Sequence, residues 1–216
     1  FAQILTYFLA MLLALTFHEA AHALVANLRG DRTAYLEGRL SLNPAAHADL
    51  VGTIILPLGA MMMSLPIIGW AKPVPVDERY FKNPPFDSFL VAMAGPGSNL
   101  IMCFLSILTY KLYIIFGANL IPEGSFLFPL IKLLAAFATV NAVLAFFNLI
   151  PLPPLDGSSI LRIVMPRNSF EQFESAIAPY SFFILMGIAV MGGFKWIHYL
   201  SMFYVGFCEK IINVIL

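Results

Sequence analysis

Charge is scarce in this chain: 12 Lys+Arg and 12 Asp+Glu make up 11% of its 216 residues. A soluble domain carries about 25%. With 60% apolar residues and a mean hydropathy of +0.86, a soluble globular or disordered chain is excluded. No basic excess exists to attract phosphate, so nucleic acid is not an expected partner. Cysteine is nearly absent too. Cys103 and Cys208 both sit in apolar runs, so neither a disulfide framework nor a cysteine metal site is indicated. What remains is apolar sequence in long runs, which reads as an integral membrane protein whose partner is the lipid bilayer.

A spanning helix needs about 20 mostly apolar residues. Residues 3–27, 89–116, 126–150, 176–194 and 196–216 qualify, the last interrupted by Glu209 and Lys210. The first run has no basic leader and no small-residue cleavage site, so it does not read as a signal peptide. It begins at Phe1, and native residues are expected ahead of it. Residues 50–70 are ambiguous. The stretch before Pro66 gives about 22 Å of helix at 1.5 Å per residue, short of a hydrocarbon core of about 30 Å. Gly52, Pro57, Gly59 and Pro66 weaken it further. Residues 32–42, with β-branched, aromatic and polar types around Gly38, read as a short hairpin. The expectation is one all-α polytopic domain over 1–216. Three transmembrane helices form its core within 1–165, joined by a re-entrant helix/β-like segment and followed by two C-terminal helices.

The chemistry enters at His18-Glu19-Ala20-Ala21-His22, an HExxH in the last third of the first apolar run. Residues four apart share a helix face, so both imidazoles can reach one ion. Glu19 beside them is placed to take a proton from a metal-activated water. Each ionisable group inside a membrane helix costs on the order of 2.5–3.5 kcal/mol, and three within five residues call for a compensating ion. The bland alternative is a polar cluster bridging helices, or a proton relay.

Two imidazoles leave a catalytic zinc one protein ligand short. His47 and Asp49 are candidates in the following loop, and His198 reads as interfacial. Asp156 is the best candidate, in Asn148-Leu-Ile-Pro151-Leu-Pro-Pro-Leu-Asp156-Gly157, where three prolines keep the backbone irregular. Such backbone is tolerated at membrane depth where it is buried in protein or lines a wet cavity. The residues alone leave a second role open, since Asp156 would also suit the N-cap of a helix over 158–164.

These motifs together resemble the site-2 protease family of intramembrane zinc metalloproteases, peptidase family M50. Beside HExxH and Leu155-Asp156-Gly157, Asn43-Pro44-Ala-Ala-His47 resembles its NPxxH segment, and Gly69-Trp70-Ala-Lys72-Pro73-Val74-Pro75-Val76 its GWAKPVPV segment. Ala94-Gly95-Pro96-Gly97-Ser98-Asn99 resembles the AGPxSN helix start of compact bacterial and archaeal members, and Phe147-Asn148 through Gly157 the FNLIPxxPLDG signature. The likeness covers residues 15–160; beyond about 165 only the apolar character matches. It implies that His18, His22 and Asp156 bind Zn2+, that Glu19 is the general base, and that the substrates are transmembrane segments of membrane proteins. Two departures stand out. No PDZ or CBS module lies within these residues, and Ser158 replaces a second glycine after Asp156-Gly157.

A shared zinc constrains topology. The histidines lie near the C-terminal end of their helix and Asp156 just past the end of 126–150, so those helices run in the same direction. Residues 89–116 supply the one intervening crossing, which makes 50–70 re-entrant. The loops 28–49, 71–88 and 156–175 then share a side and hold eight of the 12 basic residues, against none in 117–125. That side is cytoplasmic by the positive-inside rule, which puts the zinc near the cytoplasmic face of the cell membrane.

Further residues also carry expectations. Asn148 is expected to bond substrate backbone or a developing oxyanion, or else a local carbonyl. Pro73 and Pro75 strip donors from one edge of an extended segment, leaving Val74 and Val76 N–H to receive a substrate strand on the other. His47 orients the metal site from behind or is a plain surface histidine. Asn43, Asn99 and Asn141 are expected to pack or cap. Among rivals, a di-iron oxygenase needs far more than the four histidines present. A zinc or proton transporter predicts flux without cleavage, and a helix-binding scaffold predicts neither.

Overall fold

A computed structural model describes residues 2–63, 69–118 and 121–216, and among these no strand is present. Its elements are α1 (Ala2–Arg29), α2 (Thr33–Leu36), α3 (Leu56–Met62), α4 (Pro84–Leu112) and α5 (Phe128–Asn148), then α6 (Ser158–Val164), α7 (Arg167–Ile177), α8 (Ser181–Val190) and α9 (Lys195–Ile215). Among the described residues, four helical stretches are long and apolar enough to cross a membrane: Ala2–Arg29, Pro84–Gly117, Phe128–Asn148 and Arg167–Val190.

Helices α1, α4 and α5 pack on one another as the core. In lipid, helices gain little from hiding leucine, so close backbone approach through small residues has to hold them together. The sequence supplies these at helical spacing: Ala10, Ala14, Ala23 and Ala26 on α1, and Ala138, Ala142 and Ala145 on α5, all buried. The outer faces keep large apolar side chains exposed, such as Ile101, Leu105 and Leu130. Helix α9 closes one flank, where Cys208 and Ile212 pack against Cys103 and Ile107 of α4 and Ala138 and Ala142 of α5. The Tyr204 hydroxyl there donates to the Leu100 carbonyl at 3.0 Å.

The three core spans match expectation, and the C-terminal pair is re-cut. The expected span 176–194 is instead part of a helical stretch beginning at Arg167, with a tight turn at Ala178–Tyr180. Helix α9 forms where 196–216 was expected, but His198, Glu209, Lys210 and Asn213 keep it out of the four apolar spans.

The hairpin expected at 32–42 is absent. Asp31 accepts bonds from the Thr33 N–H and hydroxyl, opening α2. Gly38 ends it at φ +70, with Gly38 N–H on Tyr35 O and Arg39 N–H on Ala34 O. That is a helix-ending Schellman turn, in which the same glycine serves a helix stop and not a hairpin.

In 50–70, the chain winds as a π-type turn over Leu50–Ile55 and continues as α3. Residues 64–68, where the return leg of the expected re-entrant segment falls, lie outside the described residues. Its two ends meet: Trp70 N–H donates to Gly52 O at 3.1 Å, and the Thr53 hydroxyl donates to Trp70 O at 2.8 Å.

Candidate metal centre

Helix α1 turns His18, Glu19 and His22 towards α4 and α5, and all three are buried. The second nitrogen of each imidazole is already committed. His18 Nδ1–H donates to Asn99 Oδ1 at 2.6 Å, and His22 Nδ1–H donates to the Val91 carbonyl at 2.7 Å. The Asn99 amide has its orientation fixed because its Nδ2 donates to the Ala14 carbonyl and to Asn141 Oδ1. Asn141 in turn donates to Phe137 O. A fully buried relay therefore runs across α1, α4 and α5, and it leaves Nε2 of each histidine as a lone pair aimed inward.

Asp156 arrives opposite them. Its Oδ2 lies 3.1 Å from His18 Nε2, and its Oδ1 lies 3.4 Å from His22 Nε2. Oδ2 is buried and has no hydrogen-bond partner. Two imidazole lone pairs and a carboxylate facing one another repel unless a cation lies among them, and two imidazoles plus one carboxylate are the protein donor set of a catalytic zinc. The residues present fit that ion. The N-cap role left open for Asp156 is not taken: Gly157 is the cap of α6, with no side-chain cap bond.

Two glycines let the parts come this close. A Cβ on Gly95 would stand 2.5 Å from both His18 Cε1 and His22 Nε2, so α4 can lie against the histidines only without one. A Cβ on Gly157 would run into the Leu149 and Ile150 carbonyls, where Gly157 N–H folds back onto Asn148 O at 2.7 Å. That fold-back returns Asp156 to the end of α5.

Residues 69–77 run extended and form one wall of a cavity of about 540 Å³. His18, Glu19, His22, Asn148 and Asp156 line it, together with Val74 and Val76 of the wall. Of the sequence candidates, the structure gathers these seven and leaves out His47, Asp49 and His198. His47 is buried, with Nε2–H donating to Ser41 O and its own carbonyl accepting Lys72 N–H. It braces the wall from behind and does not bond the metal-site histidines. Asp49 caps the turn at Val51 and Gly52, and His198 is exposed on α9.

Val74 does not offer a free edge as expected. Its N–H donates to Glu19 Oε2 at 3.2 Å. A carboxylate beside a proline-flanked segment takes the nearest donor, and Pro73 and Pro75 provide none. Asn148 Nδ2 donates to Leu144 O at 3.0 Å, one turn back.

At the cavity's edge Glu78 pairs with Arg162 of α6 and accepts a bond from the Ser88 hydroxyl. The guanidinium holds the Glu78 carboxyl below its usual range. Asn99 and Asn141, expected to pack or cap, instead bond each other, and Asn99 bonds His18. The available signal was energetic, since an amide inside an apolar helix needs a partner. Asn43 does cap, accepting from Ala45 N–H.

A sequence model described as Peptidase family M50 matches residues 124–188, the stretch carrying Asn148 and Asp156. Over 185 residues, 84% of this chain and 78% of the relative, the sequence is 37% identical to "Putative zinc metalloprotease YwhC" of Bacillus subtilis (strain 168). No solved structure matches.

Proposed function

The chain belongs to peptidase family M50, as a membrane zinc metalloprotease, and from that premise we propose that His18, His22 and Asp156 hold Zn2+ while Glu19 acts as general base in hydrolysing peptide bonds within or near transmembrane segments. The observation carrying this reading is the convergence of both histidine Nε2 atoms on the Asp156 carboxylate, whose buried Oδ2 has no hydrogen-bond partner. Zinc, when bound, supplies polarisation of the scissile carbonyl and a more acidic water. Glu19 takes the proton from that water and returns it to the leaving amine. Asn148, at the end of α5 on the cavity wall, can exchange its Leu144 bond for one to substrate.

The substrate segment enters extended along Val74 and Val76, with the Val76 N–H as its pairing donor because Glu19 already occupies that of Val74. Residues 50–70 are proposed to enter and leave on one face, which the Gly52–Trp70 contact favours. The eight basic residues on the site's side favour the cytoplasmic face.

The test pairs zinc content with cleavage of a synthetic transmembrane peptide in detergent. Wild type cleaves, and Glu19→Gln keeps its zinc and does not. Asn148→Ala lowers kcat by about 10²–10³-fold with KM unchanged. A wild type that holds zinc, cuts nothing and moves metal across liposomes overturns the protease reading in favour of transport.

A further inference from the structure

Arg39 is buried, 6% exposed, and no carboxylate partners it among the described residues. Its two terminal guanidinium nitrogens bond backbone carbonyls, while the buried Nε has no partner among the described residues. Nη1 donates to Ala46 O, and Nη2 donates to Lys72 O at 2.6 Å and Pro73 O at 2.9 Å. A buried cation bonded only to carbonyls is costly unless the carbonyls must be held. The last of them matters most. Pro73 C=O and Val74 N–H belong to one peptide group, and a trans peptide is planar with its oxygen and hydrogen pointing in opposite directions. The only cis bond in the described chain is Pro153–Pro154. Arg39 therefore grips the oxygen edge of the plane whose hydrogen edge rests on Glu19 Oε2.

We propose that Arg39 is a positioning residue for Glu19, acting through the Pro73–Val74 peptide. The guanidinium fixes that plane's rotation and polarises it, which strengthens Val74 N–H as a donor to the carboxylate. One Glu19 oxygen is thereby held while the side chain stays within 4.8 Å of the histidine nitrogens. The flanking prolines make the arrangement single-valued. Neither Pro73 nor Pro75 has an N–H, and Lys72 N–H is committed to His47 O at 2.8 Å, so Val74 is the one backbone donor of residues 72–75 available to the base. Gly38 contributes by ending α2 in a left-handed turn immediately before Arg39, which aims its side chain at the wall and not along the helix.

This proposal rests on Glu19 being the base, and its test separates the two. In zinc-loaded full-length protein in detergent, Arg39→Met and Arg39→Lys are compared with wild type by zinc content, kcat and KM on the transmembrane peptide, and amide hydrogen exchange at Val74. Arg39→Met is expected to keep its zinc and a KM within about twofold, with kcat lower by about 10–100-fold. Val74 exchange should quicken at least about tenfold. Arg39→Lys, which can still reach one carbonyl, recovers part of both. Glu19→Ala, leaving Arg39 intact, quickens exchange at Val74 and not at Lys72, and this arm stands even if Arg39→Met fails to fold. Unchanged Val74 exchange in Arg39→Met or in Glu19→Ala overturns the proposal. So does a fall in kcat that tracks zinc loss. A wild type without cleavage but with the expected exchange pattern removes the protease reading and leaves the Arg39–Glu19 coupling standing.

Discussion

The two walls of the cavity are built by opposite means. On the metal side, His18, His22, Asn99 and Asn141 sit on α1, α4 and α5, whose backbones satisfy themselves internally. Side chains there are free to bond one another, and they form the relay ending on Asn141. On the other side, residues 69–77 are extended with no strand beside them among the described residues, so their backbone groups find partners elsewhere. Arg39, Thr53, Asp31 and Glu19 each give a side chain to that backbone. A helical wall holds chemistry directly, whereas an extended wall needs side chains to hold the wall first. On the proposed reading, the helical wall would set metal affinity, and the extended wall would set how the base and substrate are presented.

Breaking the helical wall should cost metal. Asp156→Ala removes one proposed ligand and is expected to weaken zinc binding more than any other change, so that only excess zinc fills the site, and to abolish cleavage. Gly95→Val forces α4 away from the histidines, since even a Cβ comes within 2.5 Å of them. It should lower zinc affinity and destabilise the fold by about 1–3 kcal/mol, read by thermal melting. Asn99→Ala frees the His18 ring to rotate, and zinc affinity should drop about 10–100-fold by competition with a chelator. Disturbing the extended wall should spare the metal. Thr53→Val deletes the hydroxyl held on Trp70 O, about 1 kcal/mol, and should slow cleavage roughly fivefold at full zinc occupancy. A zinc loss in Thr53→Val comparable to that in Asn99→Ala would erase the distinction between the walls.

The smallest effect concerns pH. Arg162 holds Glu78 below its ordinary value of 4.5, so that pair adds stability above that value and loses it as pH falls through the lowered one. Thermal stability of wild type should decline on acidification below that ordinary value, and Glu78→Gln should flatten part of that decline.

Sequence legibility follows the same division. HExxH is visible because a helix turns spacing into geometry, four residues returning to one face. The three core spans are visible because lipid demands length and apolarity. Asp156 is half legible: its type and its proline-broken setting point to the site, while the choice between ligand and cap depends on Gly157 folding onto Asn148, a contact that spacing does not encode. Asn99 is illegible as an orienting group until α4 is known to cross α1 at Gly95. The extended wall is least legible. Arg39 lies 33 residues before Lys72, whose carbonyl it holds, and the Gly38 turn that aims it reads equally as a hairpin. The prolines of 73–75 did mark a segment with one usable donor; that the donor serves Glu19 is a tertiary fact.

Two imidazoles and the Asp156 carboxylate are proposed to share one zinc. X-ray absorption at the zinc edge tests it most directly, on wild type and Asp156→Ala loaded to equal occupancy. Wild type is expected to show two imidazole nitrogens at about 2.0–2.1 Å and an oxygen shell at about 2.0–2.2 Å, with the oxygen contribution altered and the imidazole signal kept in Asp156→Ala. Identical spectra from the two proteins, or a wild-type spectrum with fewer than two imidazoles, would contradict it.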